Sequence, residues 1–483
     1  MSAHFDLLIR NAQVIDGTGA PRFSADIGVR ADRIERVGDL AGASGATEID
    51  LDGRVAAPGF IDVHTHDDRL LLSDRSMAPK VSQGVTTVVA GNCGISLAPL
   101  PVPFSQGVTP PLNLLDDAGG WFRFRNFAAY VQALHAAPAA TNCALLVGHT
   151  TLRLATMTRT DRPADSAEIT AMRALVDESL AAGAIGVSTG LFYEPAISAP
   201  AEEVIEICRP LSRHRGIYCT HMRCEGDRIT DSLEETFRVG RELDIPVVIS
   251  HHKLIGRANY GRSAETLAII ERAMSRQTVC LDCYPYAAGS TILSADRAAT
   301  SERVLVTWSR GMPEHAGREL AAIAAELGVS QDEAIARLLP AGAIYFRMHE
   351  DDVKRILAFE PTMIGSDGLP HDDAPHPRLW GTFPRVLGHY ARGLGLFSLE
   401  RAIHKMTALS ARNFGLVDRG VIAEGAYADL ALFDPDRIDA GSTYEQPLER
   451  AQGIDTVVVN GTIVWREGRA ANEYPGRVLR RMP

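Results

Sequence analysis

No apolar run in this chain approaches the ~18–20 residues that a membrane-spanning helix needs, so a membrane protein of the helical kind is not expected. The first residues, from Met1 to Arg10, lack the basic and apolar regions of a secretory leader. Cysteine is scarce and odd in number, seven in 483 residues, which argues against a disulfide framework and for a reducing compartment. Positive charge is also in deficit: 49 Lys and Arg face 60 Asp and Glu, a net −11, so nucleic acid is not the expected partner. No glycine-rich phosphate fingerprint follows an early strand, which removes the usual support for an open dinucleotide-binding sheet. These absences leave a cytoplasmic protein acting on a small molecule as the expectation. At 46% hydrophobic it is long enough to bury a large core and to form more than one domain. The sequence carries no signal of oligomeric state.

What is present is a set of metal-ligand residue types, each closing a short apolar run. His64 and His66 end the run from Gly59, Cys93 ends the run from Val85, and His221 ends the run from Gly216. His251 ends the run from Pro246 and Asp367 the run from Thr362. With Cys143–149, Ile185–189 and Thr278–284 these make eight strand-like runs, and helical patterns separate several of them. Ala167–182 is one such helix, with Ile169, Met172, Leu175, Val176 and Leu180 close to a 3.6 period; 201–214, 233–243 and 263–275 are similar. Successive middle steps of roughly 30–40 residues have the size of a βαβ unit. Ligands so dispersed become one site only if parallel strands converge at their C-terminal ends, as in a (β/α)8 TIM barrel.

Both chain ends read as β. Short strand-like pieces occupy 5–9, 12–15, 25–29 and 33–37, while Asn460–Gly461 centres a hairpin in 456–465. Neither end has enough strands to bury a face alone, so residues 1–58 and 415–483 are expected to form one composite β-sandwich domain. The catalytic barrel is then 59–414. Two intervals are too long for a simple crossover: 94–142, a Pro/Gly-rich loop with a helix near 121–136, and 286–361. The second is expected to hold a lid-like helical subdomain over 286–345, with helices near 301–308, 314–327 and 331–339.

Each residue has an ordinary reading beside its chemical one. A His-x-His on a strand puts two imidazoles on one face, yet core or surface histidines are common; Cys93 resembles a small buried hydrophobe. Asp367 reads as a turn or cap aspartate, or as a carboxylate beside a metal site that takes and returns a proton. A thiolate with imidazoles is a Zn2+ set rather than a Mg2+ or Ca2+ set. Cys219 reads as barrel filling, His252 and His149 as structural or supporting, and Cys280–Cys283 as a strand segment rather than a redox pair.

Several linked stretches resemble the N-acyl-D-amino-acid deacylases of the metal-dependent amidohydrolase superfamily. They are 60–68, 83–94, 188–195, 250–253, 284–286, 364–370 and 416–420, and the likeness covers essentially the whole chain. The resemblance implies one tight zinc on Cys93, His221 and His251, and a weaker second position at His64 and His66. It implies Asp367 as the acid/base and Lys253, Arg378, Tyr193 and Tyr284 as holders of the substrate carboxylate. Many other amidohydrolases bridge two metals with a lysine on the fourth strand, and none lies between Gly183 and Pro195. Lys253 follows His251 at strand parity and Arg378 lies in the loop after strand eight, so charge placement supports the cradle. The expected activity is zinc-dependent hydrolysis of N-acyl-D-amino acids. The alternatives are a deacylase for N-acyl-D-glutamate or N-acyl-D-aspartate, with Arg297 as a candidate extra cation, a hydantoinase-like cyclic amidase, and a non-catalytic scaffold.

Overall fold

The computed structural model describes residues 4–100 and 107–482; residues 101–106, within the expected Pro/Gly-rich loop, lie outside the described residues, as do 1–3 and 483. All eight expected barrel strands form: Phe60–Asp62, Val85–Ala90, Asn142–Gly148, Gly186–Gly190, Ile217–His221, Val247–Ile249, Val279–Cys283 and Thr362–Ile364. They pair in parallel and in chain order from first to eighth. Every residue of these strands is buried, which is why they read as apolar runs rather than alternations. Ile61, Val89, Leu146, Cys219, Val248, Cys280 and Met363 pack together as barrel filling.

The hydrogen-bonded path stops at the first and eighth strands, and closure occurs just beyond their ends. The Asp367 N–H donates to His64 O at 2.7 Å and the His66 N–H to Gly368 O at 3.1 Å, with a parallel bridge between Thr65 and Gly368. Beneath that seam Lys80 is fully buried. Its Nζ donates to Asp62 Oδ2 at 2.7 Å, Thr65 Oγ1 at 2.9 Å and Ser366 Oγ at 2.8 Å, and lies 3.4 Å from Asp67 Oδ2. One ammonium thus ties the first strand to the eighth.

The outer helices follow the sequence pattern with adjusted ends. Ser166–Ala182 starts in a capping box of Asp165 and Glu168 and stops at Gly183, φ 118°. The expected helix over 201–214 is two, Ala201–Cys208 and Pro210–His214, because proline cannot continue the backbone ladder. The helix expected from 121 begins only at Phe127, where the Asn126 side chain accepts from the Ala129 N–H. No helix among the described residues is long and apolar enough to cross a membrane.

The inserted segment corrects the expectation of a helical subdomain. Strands Ala288–Ile292, Arg303–Ser309 and Ala341–Phe346 form an antiparallel sheet with the last in the middle. Helices Ala295–Ala299, Leu320–Leu327 and Gln331–Leu338 pack on it around a separate core that includes Val306, Leu320 and Tyr345. The stretch 301–308, expected as a helix, is mostly strand because Val304, Val306 and Thr307 are β-branched and Trp308 is aromatic. A run this short carries no periodicity that separates strand from helix.

The chain ends meet, as expected, in one composite β domain, whose strands form a continuous nine-stranded mixed sheet. Val55–Pro58 and Leu430–Phe433 pair antiparallel and join the N-terminal half to the C-terminal half. The pieces at 5–9 and 12–15 are one strand, His4–Val14, bulged where Asn11 takes φ 53°. Asn460 and Gly461, with φ of 46° and 79°, turn the expected hairpin.

Replacing Lys80 by Ala leaves the carboxylates of Asp62 and Asp67 buried without a counter-ion, a change that costs roughly 3–5 kcal/mol. A clear drop in the thermal unfolding midpoint is expected; an unchanged midpoint would remove Lys80 as the seam's anchor.

Candidate metal centre

Three of the chemistry-bearing residues leave the ordinary backbone regions at their strand ends. Cys93, His251 and Asp367 have φ of 53°, 37° and 50°. A left-handed conformation costs a non-glycine residue about 1–3 kcal/mol, and such residues cluster where function requires them. The surrounding backbone is correspondingly close. A Cβ on Gly91 would lie 2.1 Å from Leu146 O, and one on Gly190 would lie 2.2 Å from Cys93 O. Neither position admits a side chain.

Cys93 is the centre of the cluster. Its Sγ is 3.3 Å from His64 Nε2 and 3.3 Å from His251 Nε2. Donor atoms of Cys93, His221 and His251 lie within 4.8 Å of one another, as do those of His64, His66, Cys93 and Asp367. The cysteine therefore belongs to both groups. All six residues are buried. Neither ring nitrogen of His221, nor Nδ1 of His64 or His66, has a hydrogen-bond partner. Buried imidazole nitrogens are normally satisfied, so the open nitrogens of His221, in a cluster whose His64 and His251 Nε2 atoms face the thiol, are what a metal ligand set requires. Sulfur with imidazole nitrogen suits Zn2+. The residues fit that ion.

The electrostatics agree. Burial would raise the Cys93 thiol, but the imidazoles of His64 and His251 outweigh it and hold the thiol well below its usual range. Burial would likewise raise Asp367; Arg378, with Nη1 2.8 Å from Oδ2, and His251 and His66 keep it well below the ordinary carboxylate range. Asp367 Oδ1 also lies 3.2 Å from His66 Nε2 and 3.5 Å from His64 Nε2.

The four residues associated with carboxylate binding line one cavity together with the donor cluster. Arg378 donates to Ser290 O at 3.2 Å and stacks 4.6 Å from the Tyr284 ring centre. Lys253 Nζ lies 5.8 Å from that same ring. The Tyr193 hydroxyl is 3.1 Å from Thr291 Oγ1. Arg297 does not line the cavity; it stacks 4.8 Å from the Phe192 ring and donates to Ser294 Oγ at 2.9 Å. Arg347 lines it instead. His149 bonds Glu203 at 3.1 Å and His252 bonds Thr266 at 2.9 Å, both outside the donor groups. Cys280 packs in the barrel interior and Cys283 in the outer core, so the two thiols face opposite ways.

Two buried carboxylates escaped the sequence reading. Asp282 accepts from the His251 backbone N–H at 2.9 Å and lies 3.6 Å from His64 Nδ1. Its signal was an acidic residue inside an apolar strand. Glu225 lies 3.2 Å from His251 Nδ1 and 2.5 Å from Lys253 Nζ. Its only signal was a spacing of four residues from His221.

A parallel barrel with a composite terminal sheet and thiolate–imidazole donors at its C-terminal mouth defines a class, and the chain belongs to it: the amidohydrolase family, whose model matches residues 47–327 and 293–465. Among proteins of known activity, it is 58% identical to a D-aminoacylase of Alcaligenes xylosoxydans xylosoxydans over 99% of this chain and 98% of that one. It is 53% identical to an N-acyl-D-aspartate deacylase of the same organism, over 99% and 95%. A solved D-aminoacylase, studied for a binuclear metal centre with one-metal activation and second-metal attenuation, superposes with a TM-score of 0.96 at 58% identity, covering 99% of this chain and all of that one. The N-acyl-D-glutamate deacylase of Bordetella bronchiseptica, solved with zinc and a phosphonate mimic of the tetrahedral intermediate, gives 0.95 at 45% identity, covering 99% of this chain and 100% of that one.

Cys93→Ala is expected to lose most of the bound zinc, measured by elemental analysis of the purified protein. Full retention would remove the cysteine as a ligand.

Proposed function

We propose that this protein hydrolyses N-acyl-D-amino acids to a carboxylate and a free D-amino acid, with zinc held by Cys93, His221 and His251. The observation that carries the reading is Asp367: a buried carboxyl group touching His66 on one side and Arg378 on the other, in the cavity that holds the donor cluster. Bound zinc supplies a Lewis acid that polarises the acyl carbonyl and makes water a stronger acid.

The rest is the work of the chain's own groups. Arg378 and Lys253 hold the substrate's α-carboxylate, the guanidinium with paired N–H donors and the ammonium as a point charge. Tyr284, beside both cations, and Tyr193 add hydroxyl donors. This orients the amide toward the donor cluster. Asp367 accepts the proton of the attacking water and then delivers it to the amide nitrogen, which departs poorly as an anion. Burial in a narrow cavity keeps bulk water from competing for that proton. His64 and His66 form the weaker cation position. A cation there would engage Asp367 as well and withdraw it from proton transfer, so excess metal is expected to inhibit.

Ile95, Leu114, Phe192, Met348 and Leu369 give the cavity apolar wall, which suits an apolar D-side chain. A second reading, an acidic side chain, is favoured by Arg347, which lines the same cavity and has no carboxylate within ion-pair distance among the described residues. The cyclic-amidase alternative rests on fold likeness alone: an L-hydantoinase from Arthrobacter aurescens is 15% identical with a TM-score of 0.62.

An N-acetyl amino-acid panel of both enantiomers tests the proposal. Turnover of D-enantiomers with little of L is expected, and the ranking of Met or Leu against Asp or Glu separates the two side-chain readings. Equal or preferred L turnover would overturn it. Asp367→Asn is expected to keep tight zinc and lower kcat by about 10²–10⁴-fold; near-normal kcat would remove Asp367 as the proton carrier.

A further inference from the structure

Glu225 has no part in the chemistry described above, yet it touches both halves of the site. It is 2% exposed and sits on the loop after the fifth barrel strand. A single oxygen, Oε1, lies 2.5 Å from Lys253 Nζ and 3.2 Å from His251 Nδ1. The other, Oε2, lies 3.6 Å from His221 Nε2. Its backbone carbonyl accepts from the Ile255 N–H at 2.9 Å, which ties this loop to the loop after the sixth strand. No other carboxylate lies within ion-pair distance of Lys253 or of His251 Nδ1 among the described residues.

An imidazole that binds a cation through Nε2 carries its proton on Nδ1 and needs an acceptor there. His251 points Nε2 at Cys93, so its acceptor must lie on the Nδ1 side. Lys253 Nζ hydrogen-bonds Nδ1 at 2.7 Å with the ring nitrogen accepting, because an ammonium only donates; a ring bound to a cation through Nε2 needs an acceptor there instead. Glu225 Oε1 is the acceptor within reach. The same oxygen balances the Lys253 charge, which would otherwise be buried beside a ring that must also donate.

We propose that Glu225 is a positioning residue that couples metal retention to substrate capture: one carboxylate oxygen both orients His251 toward the cation and anchors Lys253 where it meets the substrate's carboxylate. The substrate half rests on the function proposed above; the metal half stands on the donor geometry alone.

The test uses the full-length zinc enzyme with Glu225→Gln, Glu225→Asp and Lys253→Met. Zinc retention is read by competition with a chromogenic chelator, and KM and kcat are read on N-acetyl-D-methionine at saturating zinc. Glu225→Gln is expected to lower zinc affinity roughly 10–100-fold and, with zinc restored, to raise KM about tenfold or more with a smaller effect on kcat. Glu225→Asp, which keeps the charge, is expected to recover part of both. Lys253→Met is expected to raise KM while keeping zinc, so the double effect belongs to Glu225. A Gln variant with normal zinc retention, or one whose KM is unchanged, overturns the coupling. Should the Gln variant fail to fold, normal values of both quantities in the Asp variant overturn it. Absence of turnover by the unmodified enzyme on every N-acyl-D-amino acid would defeat the proposed function, while the chelator competition would still decide the metal half.

Discussion

The barrel closes on two backbone hydrogen bonds, the Ser366 N–H and hydroxyl donating to Asp62, and one buried ammonium, and the site above depends on that closure. The first and eighth strands are only three residues long, and each pairs along its length with its inner neighbour alone. Their continuation through His64–His66 and Asp367–Gly368 supplies the hydrogen bonds. Burying Lys80 is costly unless nearby oxygens replace its water. Asp62, Thr65 and Ser366 do so, and two of them flank His64 in sequence. The groups that close the barrel therefore also fix the distance between His66 and Asp367.

The same economy explains the strained residues. Left-handed backbone at Cys93, His251 and Asp367 is unfavourable locally, and tertiary packing must over-determine it. Gly91 and Gly190 let neighbouring strand ends approach until the thiol, two imidazoles and a carboxylate crowd one volume. The assembly collects buried donors with no hydrogen-bond partner. A cation would satisfy them, and its binding would then be linked to folding of the barrel mouth.

How much was legible from the residues varied with how local the signal was. The barrel strands could be read because parallel strands buried on both faces become unbroken apolar runs. The inserted sheet could not: Arg303–Ser309 has the same apolar look as a short helix, and its partner strand lies over thirty residues away. Ligand types at strand ends pointed to the site, since an apolar run ending in His, Cys or Asp is an unusual way to stop. Asp282 and Glu225 were missed because a lone acid beside an apolar stretch looks like a solvated charge until its neighbours are placed. Arg297, by contrast, was suspected of facing substrate and instead stacks on Phe192.

Residue types and their order were thus enough to specify a parallel barrel, a composite terminal β domain and a zinc-type donor set, because burial and donor chemistry are properties of short segments. Which donors share an atom was a matter of three dimensions. The membership of Cys93 in both groups, the pairing of Asp367 with Arg378 and the double contact of Glu225 arise from left-handed turns and close strand approaches. Those join residues separated by up to three hundred positions, and no local pattern encodes distances of that kind.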